Sequence, residues 1–197
     1  MHRPTCLLAL LLAGGICAFA QNSDNSNNNS KHFDVQSSVG DLHLGDDADA
    51  RKVGVPLYPG AQLKADESDK DGDSGRANLS LLTEAFGFKL IVAKYGSPDS
   101  PDKIVAFYRN KLKKYGKVLE CHSQKHAGDG IEVNNDDKDS SGSKQLKCDE
   151  NNSGPVTELK VGTEDRQRVV AVEPADSGKG TTFALVYVYT RGKQGDI

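Results

Sequence analysis

Apolar and polar positions alternate along much of this chain, with the two-residue period of a half-buried strand. HFDVQSSVGDLHLGDD places Phe33 and Val35, then Leu42 and Leu44, on every second position, which predicts a short hairpin turning near Val39-Gly40-Asp41. GVPLYPGAQ, Gly54 to Gln62, carries two prolines and so reads as no central strand; its Pro59-Gly60 step suits the middle of a type II turn, with Leu57 and Tyr58 as anchors. ANLSLL, 77 to 82, is expected to pair with the apolar run Phe88 to Tyr95.

The period then changes. Ile104, Val105, Tyr108, Leu112 and Tyr115 fall on one helical stripe. Ser100 precedes it as N-cap, Pro101 takes the first helical position, and Asp102 complements the positive helix end. Lys111, Lys113 and Lys114 crowd the last turn, and Gly116 stops the helix. After it the chain returns to strands: Val118-Leu119 leading into Cys121, Gln145 to Cys148, Val156 to Val161, Gln167 to Val172 and Thr181 to Thr190. EPADSGKG, 173 to 180, is the reversal before the last of them, whose apolarity on both faces marks it as central. The expected fold is α+β: an antiparallel or mixed sheet of about six strands with one main helix over about 101–115.

Two of these stretches, taken together, resemble a family. Tyr58-Pro59-Gly60-Ala61, followed by Ser100-Pro101-x-x-Ile104-x-x-Phe107-Tyr108-x-x-x-Leu112, is similar to uncharacterised exported bacterial proteins. In these a YPGA segment precedes an S-P-x-x-V-x-x-F-Y-x-x-x-L helix. Ile104 stands where that pattern has Val, and the later VLEC and ELKVG segments fit it. The resemblance spans most of residues 40 to 190. It implies export and a compact domain; it carries no activity and no substrate.

Composition changes the picture at the ends. Residues 1–20 pair a basic start at Arg3 with an apolar run, Leu7 to Ala13, and close on Ala18-Phe19-Ala20, which is the form of a secretory signal peptide cleaved between Ala20 and Gln21. The run is shorter than the roughly 20 residues of a membrane span. Cys17 offers lipidation as an alternative, though Ile16 before it is larger than the small residue such attachment prefers. Residues 21–31, QNSDNSNNNSK, have nothing to bury and read as a disordered linker to a single domain over 32–191, with 192–197 a flexible tail. Residues 64 to 76 and 122 to 145 read as solvated polar loops. Cleavage removes one base of 25 and leaves 24 against 28 acids, a net charge of −4. A mildly acidic chain with no long basic run points away from nucleic acid as a partner. The localisation expected is the periplasm or the extracellular space.

Cleavage also removes Cys6 and Cys17 and leaves Cys121 and Cys148, 27 positions apart. In an exported chain this pair is most simply a disulfide, worth roughly 3 kcal/mol in the chain-entropy model. The alternatives are free thiols or a zinc site using Cys121, His122, His126 and Cys148, whose spacing departs from the paired short spacings of zinc ligands. Glu67, Asp69, Asp71 and Gly72 approach a calcium loop, but position twelve is Asn78 where a bidentate Glu is wanted; a solvated acidic loop explains them as well. SGKGTT, Ser177 to Thr182, lacks the upstream glycine and the following helix of a phosphate loop. The basic group Arg109, Lys111, Lys113, Lys114 and Lys117 reads as a completed helix terminus, or as a contact for an anionic envelope surface. Tyr108, Tyr115, Tyr187 and Tyr189 read as core or core-edge rings, or as the lining of a groove. No catalytic constellation and no cofactor is implied. The reading that results is a non-catalytic exported domain that binds a partner or associates with the envelope. Its rivals are an enzyme with a dispersed active site and a structural protein that self-associates.

Overall fold

A computed structural model describes residues 32–64, 75–127, 145–148 and 151–192. They contain nine strands: β1 (His32–Ser37), β2 (Gly40–Gly45), β3 (Gln62–Leu63), β4 (Arg76–Thr83), β5 (Gly87–Ser97), β6 (Leu119–Ser123), β7 (Val156–Thr163), β8 (Arg166–Pro174) and β9 (Thr181–Arg191). All join one sheet in the order β1-β2-β4-β5-β9-β8-β7-β6, with β3 beside β5. Every pairing is antiparallel. The sheet is therefore larger than the expected six strands, and the mixed alternative falls away. The β1–β2 hairpin and the two-residue β3 extend the central sheet rather than standing apart from it. The expected strand at 145–148 does not form; this segment runs beside β6 without pairing. Conversely His122 and Ser123 lie within β6, not in the polar loop.

Alternation divides the sheet into two faces. Ile91, Ala93 and Tyr95 of β5, Phe183 and Leu185 of β9, Val170 and Val172 of β8 and Leu159 and Val161 of β7 are buried on one face. Helix α2 (Pro101–Leu112) packs there through Ile104, Val105, Tyr108 and Leu112, and Tyr115 follows in a 3-10 turn, Lys113–Tyr115. The helix begins where expected, but the Ser100 hydroxyl makes no capping bond; the cap residue contributes its extended backbone alone. A second helix, α1 (Ala50–Val53), is capped by Asp49 accepting from Lys52 N and ends at Gly54 with φ +86°. The YPG turn forms as expected: Ala61 N–H donates to Tyr58 O at 3.1 Å, and Gly60 takes φ +76°. It seats on α2 because the Tyr108 hydroxyl accepts from Tyr58 N–H at 3.0 Å and the Tyr58 ring meets Phe107 edge-on at 5.1 Å. Burial pushes the Tyr108 phenol up, well above its ordinary value, so it stays neutral.

Val156, Val169, Ala171, Ala184, Val186 and Val188 are buried on the opposite face, together with Ala127 from the chain after β6. β9 thus buries side chains on both faces, as its sequence predicts, and lies between β5 and β8.

Candidate interaction surface

The second face does not stay covered. Register carries its apolar stripe from β9 and β5 through Leu79 and Leu81 of β4 and Leu42 and Leu44 of β2 to Phe33 and Val35 of β1. Exposure climbs along it, from 0% at Val188 to 57% at Phe33. Leu44, Leu81 and Val35 are also exposed. Singly exposed apolar residues are ordinary; a continuous stripe ending at a sheet edge is the form of an association surface.

The two edges of the sheet are built differently. Lys94 N–H donates to Gly75 O, on the β4 side, at 2.9 Å, and Thr190 N–H donates to Asp165 O, on the β8 side, at 2.8 Å. These bonds fix which residues point their main chain to which side, and the alternation follows through the register. On β6 the outward residues are Glu120 and His122. Both are blocked: His122 N–H donates to the Asn152 side chain at 2.8 Å, and the Cys148 sulfur lies 3.6 Å from Glu120 O. Cys148 is held there by its disulfide to Cys121, with Cα atoms 5.4 Å apart. On β1 the outward residues are His32, Asp34 and Gln36, and among the described residues nothing meets their main-chain groups. All six residues of β1 are exposed.

A polar cluster holds this open edge against the body of the domain. His43 of β2 faces Asp34 of β1, with Nδ1 2.5 Å from Asp34 Oδ1. Its Nε2 lies 3.0 Å from Asn78 Nδ2 and 3.3 Å from Asp47 Oδ1. Asn78 also donates to Asp47 at 2.8 Å, and Lys52 of α1 pairs with the other Asp47 oxygen. Burial alone would raise Asp47, but the bonds from Lys52, Asn78 and His43 outweigh it and hold the carboxyl well below the usual carboxylate range. Register places Ser80 directly opposite His43, so Asp34, His43 and Ser80 form a row across three strands. The row is not a nucleophile–base pair. The imidazole turns both nitrogens to Asp34, Asp47 and Asn78, and no hydrogen bond joins it to Ser80.

The other sequence candidates fall into place around this frame. With Cys121 bonded to Cys148, the thiolates of the zinc reading are consumed. His126 pairs instead with Glu173 at 3.1 Å. Arg109 pairs with Glu120 at 2.6 Å, while Lys111 and Lys114 lie over the Phe107 and Tyr115 rings, so part of the basic group is spent within the domain. Tyr108 is core, and Tyr115 donates to Gly54 O. Tyr187 and Tyr189 stand on the helix-bearing face beyond the helices, with Arg168 and Arg166 respectively beside their rings. The calcium candidates Glu67, Asp69 and Asp71, the cleavage pair Ala20 and Gln21, and segments 1–20 and 21–31 lie outside the described residues. No described helix is long and apolar enough to cross a membrane. No family model, curated protein or solved structure matches the chain.

Proposed function

We propose that this is an exported, non-catalytic association domain that pairs with a second copy of itself along β1. The observation that carries the reading is the contrast of edges: β6 is blocked by Asn152 and by the disulfide-held Cys148, while β1 meets no partner on its outer side among the described residues and continues an exposed apolar stripe. Natural sheets blunt long apolar edges, so an unprotected one is a pairing template. The signal-like residues 1–20 and the disulfide support an oxidising, exported setting.

The chemistry of β1 selects a register. An antiparallel pair of β1 strands must match outward residues with outward residues. Centring on Asp34 sets two carboxylates directly opposite each other, which is destabilising. Centring on Phe33 sets each His32 opposite the other copy's Asp34 and brings the two Phe33 rings together on the apolar face. That arrangement makes about four main-chain hydrogen bonds. It buries less than the roughly 1,200 Å² of a stable complex, so association on the order of tens of micromolar is expected.

Sedimentation equilibrium of the chain lacking residues 1–20 tests this. The weight-average mass should rise from monomer towards dimer across that concentration range. Phe33→Lys, which faces two ammonium groups across the pair, should leave a monomer throughout, while Val39→Lys at the exposed hairpin turn should behave as wild type. A wild-type chain that stays monomeric at millimolar concentration, or a Phe33→Lys chain that still associates, removes the proposal.

A further inference from the structure

A second surface lies away from the open edge, where the β7–β8 hairpin meets the end of β9. Thr163, Asp165, Arg166, Tyr189, Thr190 and Arg191 line an open cleft of about 590 Å³. This volume falls within the range of small-molecule sites. Register builds its cationic side. Tyr189 is flanked on its two neighbouring strands by Lys89 of β5 and Arg166 of β8. The Arg166 guanidinium sits 5.1 Å from the centre of the Tyr189 ring. Arg191 follows two residues after Tyr189 on the same face and donates one Nη2 bond to Thr83 O at 2.5 Å.

These three cations share one face of neighbouring strands and, unlike several others of the domain, are not offset by an acid partner among the described residues. Arg51, Lys103 and Arg109 each pair with a carboxylate within 3 Å. Lys89, Arg166 and Arg191 have none within ion-pair distance among the described residues. Asp165 is the single carboxylate among the described residues lining the cleft. Gathering unpaired cations around one ring, in a chain of net charge −3, costs mutual repulsion that an anionic occupant relieves. Guanidinium forks match the geometry of phosphate and carboxylate oxygens, and a tyrosine ring offers its face or edge to the apolar C–H side of a sugar.

The geometry points to a binding site for a sugar-sized ligand carrying an oxyanion, either a phosphate monoester or a carboxylate. Arg166 and Arg191 take the oxyanion, Tyr189 packs against the ring, and the Thr163 hydroxyl and the main chain of Thr190 line the sugar. This site does not depend on self-association, because it shares no residue with β1.

Titration of the 15N-labelled chain lacking residues 1–20 at low ionic strength tests it, with glucose 6-phosphate, glucuronate, inorganic phosphate and glucose as probes. At least one of the two sugar acids should give saturable shifts at the amides of Arg166 and Tyr189–Gly192 with a dissociation constant of about a millimolar or below. Which of them does so tells phosphate from carboxylate. Inorganic phosphate should bind about tenfold more weakly, and glucose should give no saturable shift. Arg166→Gln and Arg191→Gln should each weaken the sugar acid about tenfold while keeping a dispersed spectrum. Tyr189→Leu should weaken the sugar acid and leave inorganic phosphate unchanged. The inference is overturned if neither acid saturates, if glucose matches them, or if a folded Arg166→Gln chain binds as wild type.

Discussion

His43 occupies a position that an exposed hairpin ordinarily leaves to a solvated side chain. One ring nitrogen faces Asp34 on the edge strand, and the other faces Asn78 and Asp47, which Lys52 ties to α1. The edge is thereby anchored through side chains rather than through a packed core. Asn78, at 6% exposed, is the buried member of a partly exposed cluster, and its own Oδ1 has no partner among the described residues. Sequence reading missed it, because His43 and Asn78 are 35 positions apart and meet only through register; separately each reads as one more polar residue. Asp47 gives the cluster a pH signature. Its carboxyl is depressed in the folded state, so the stability it supplies is present above its unfolded value, about 3.9, and is lost as pH falls from there towards the native value. Urea denaturation of wild type and Asp47→Asn should show a wild-type advantage at pH 6 that shrinks steadily below about pH 4. An advantage independent of pH would mean that Asp47 stabilises by packing and not as a charge.

Legibility among the elements followed the length and purity of each pattern. The β1–β2 hairpin, β4 with β5, α2 and the central β9 all carry several turns or alternations, and their periods decide their type. Helix α1 is four residues long, too short for a 3.6-residue period to show, and only the Asp49 and Gly54 caps hint at it. At 145–148 the single apolar Leu146 between polar neighbours imitates alternation, but the disulfide fixes this segment beside β6 where it blocks the edge instead of lengthening the sheet. That placement gives Cys148 two roles, and they can be separated. Cys148→Ser should lower stability by roughly 3 kcal/mol in chemical denaturation. It should also release Glu120 O on the outward side of β6, while Asn152 still holds His122 N–H, so that weak residual association survives Phe33→Lys in the double variant. A Cys148→Ser, Phe33→Lys chain that is strictly monomeric would show that the strap has no part in guarding this edge.

At the scale of the molecule, the low hydrophobic content of 36% is spent unevenly. Both faces of the middle of β9 and β8 are closed, the helices cover one face only, and the supply of covering side chains runs out towards β1. Composition foretold the deficit but not its place, because burial depends on which strands the topology puts at the margin. The hairpin that comes first in the described chain lies at the extreme edge, farthest from β6 at the other margin. Strand pairing between copies closes that margin, and its register makes one geometric demand. Two Phe33 residues facing each other in a non-hydrogen-bonded pair have Cα atoms about 4.5 Å apart. This separation lies within reach of a disulfide. The direct measurement is oxidative cross-linking of Phe33→Cys in the chain lacking residues 1–20, with the more exposed Val39→Cys as the control. Pairing along β1 predicts rapid, near-complete dimer from Phe33→Cys and little from Val39→Cys at the same concentration. Equal cross-linking of the two, or none from Phe33→Cys, would contradict it.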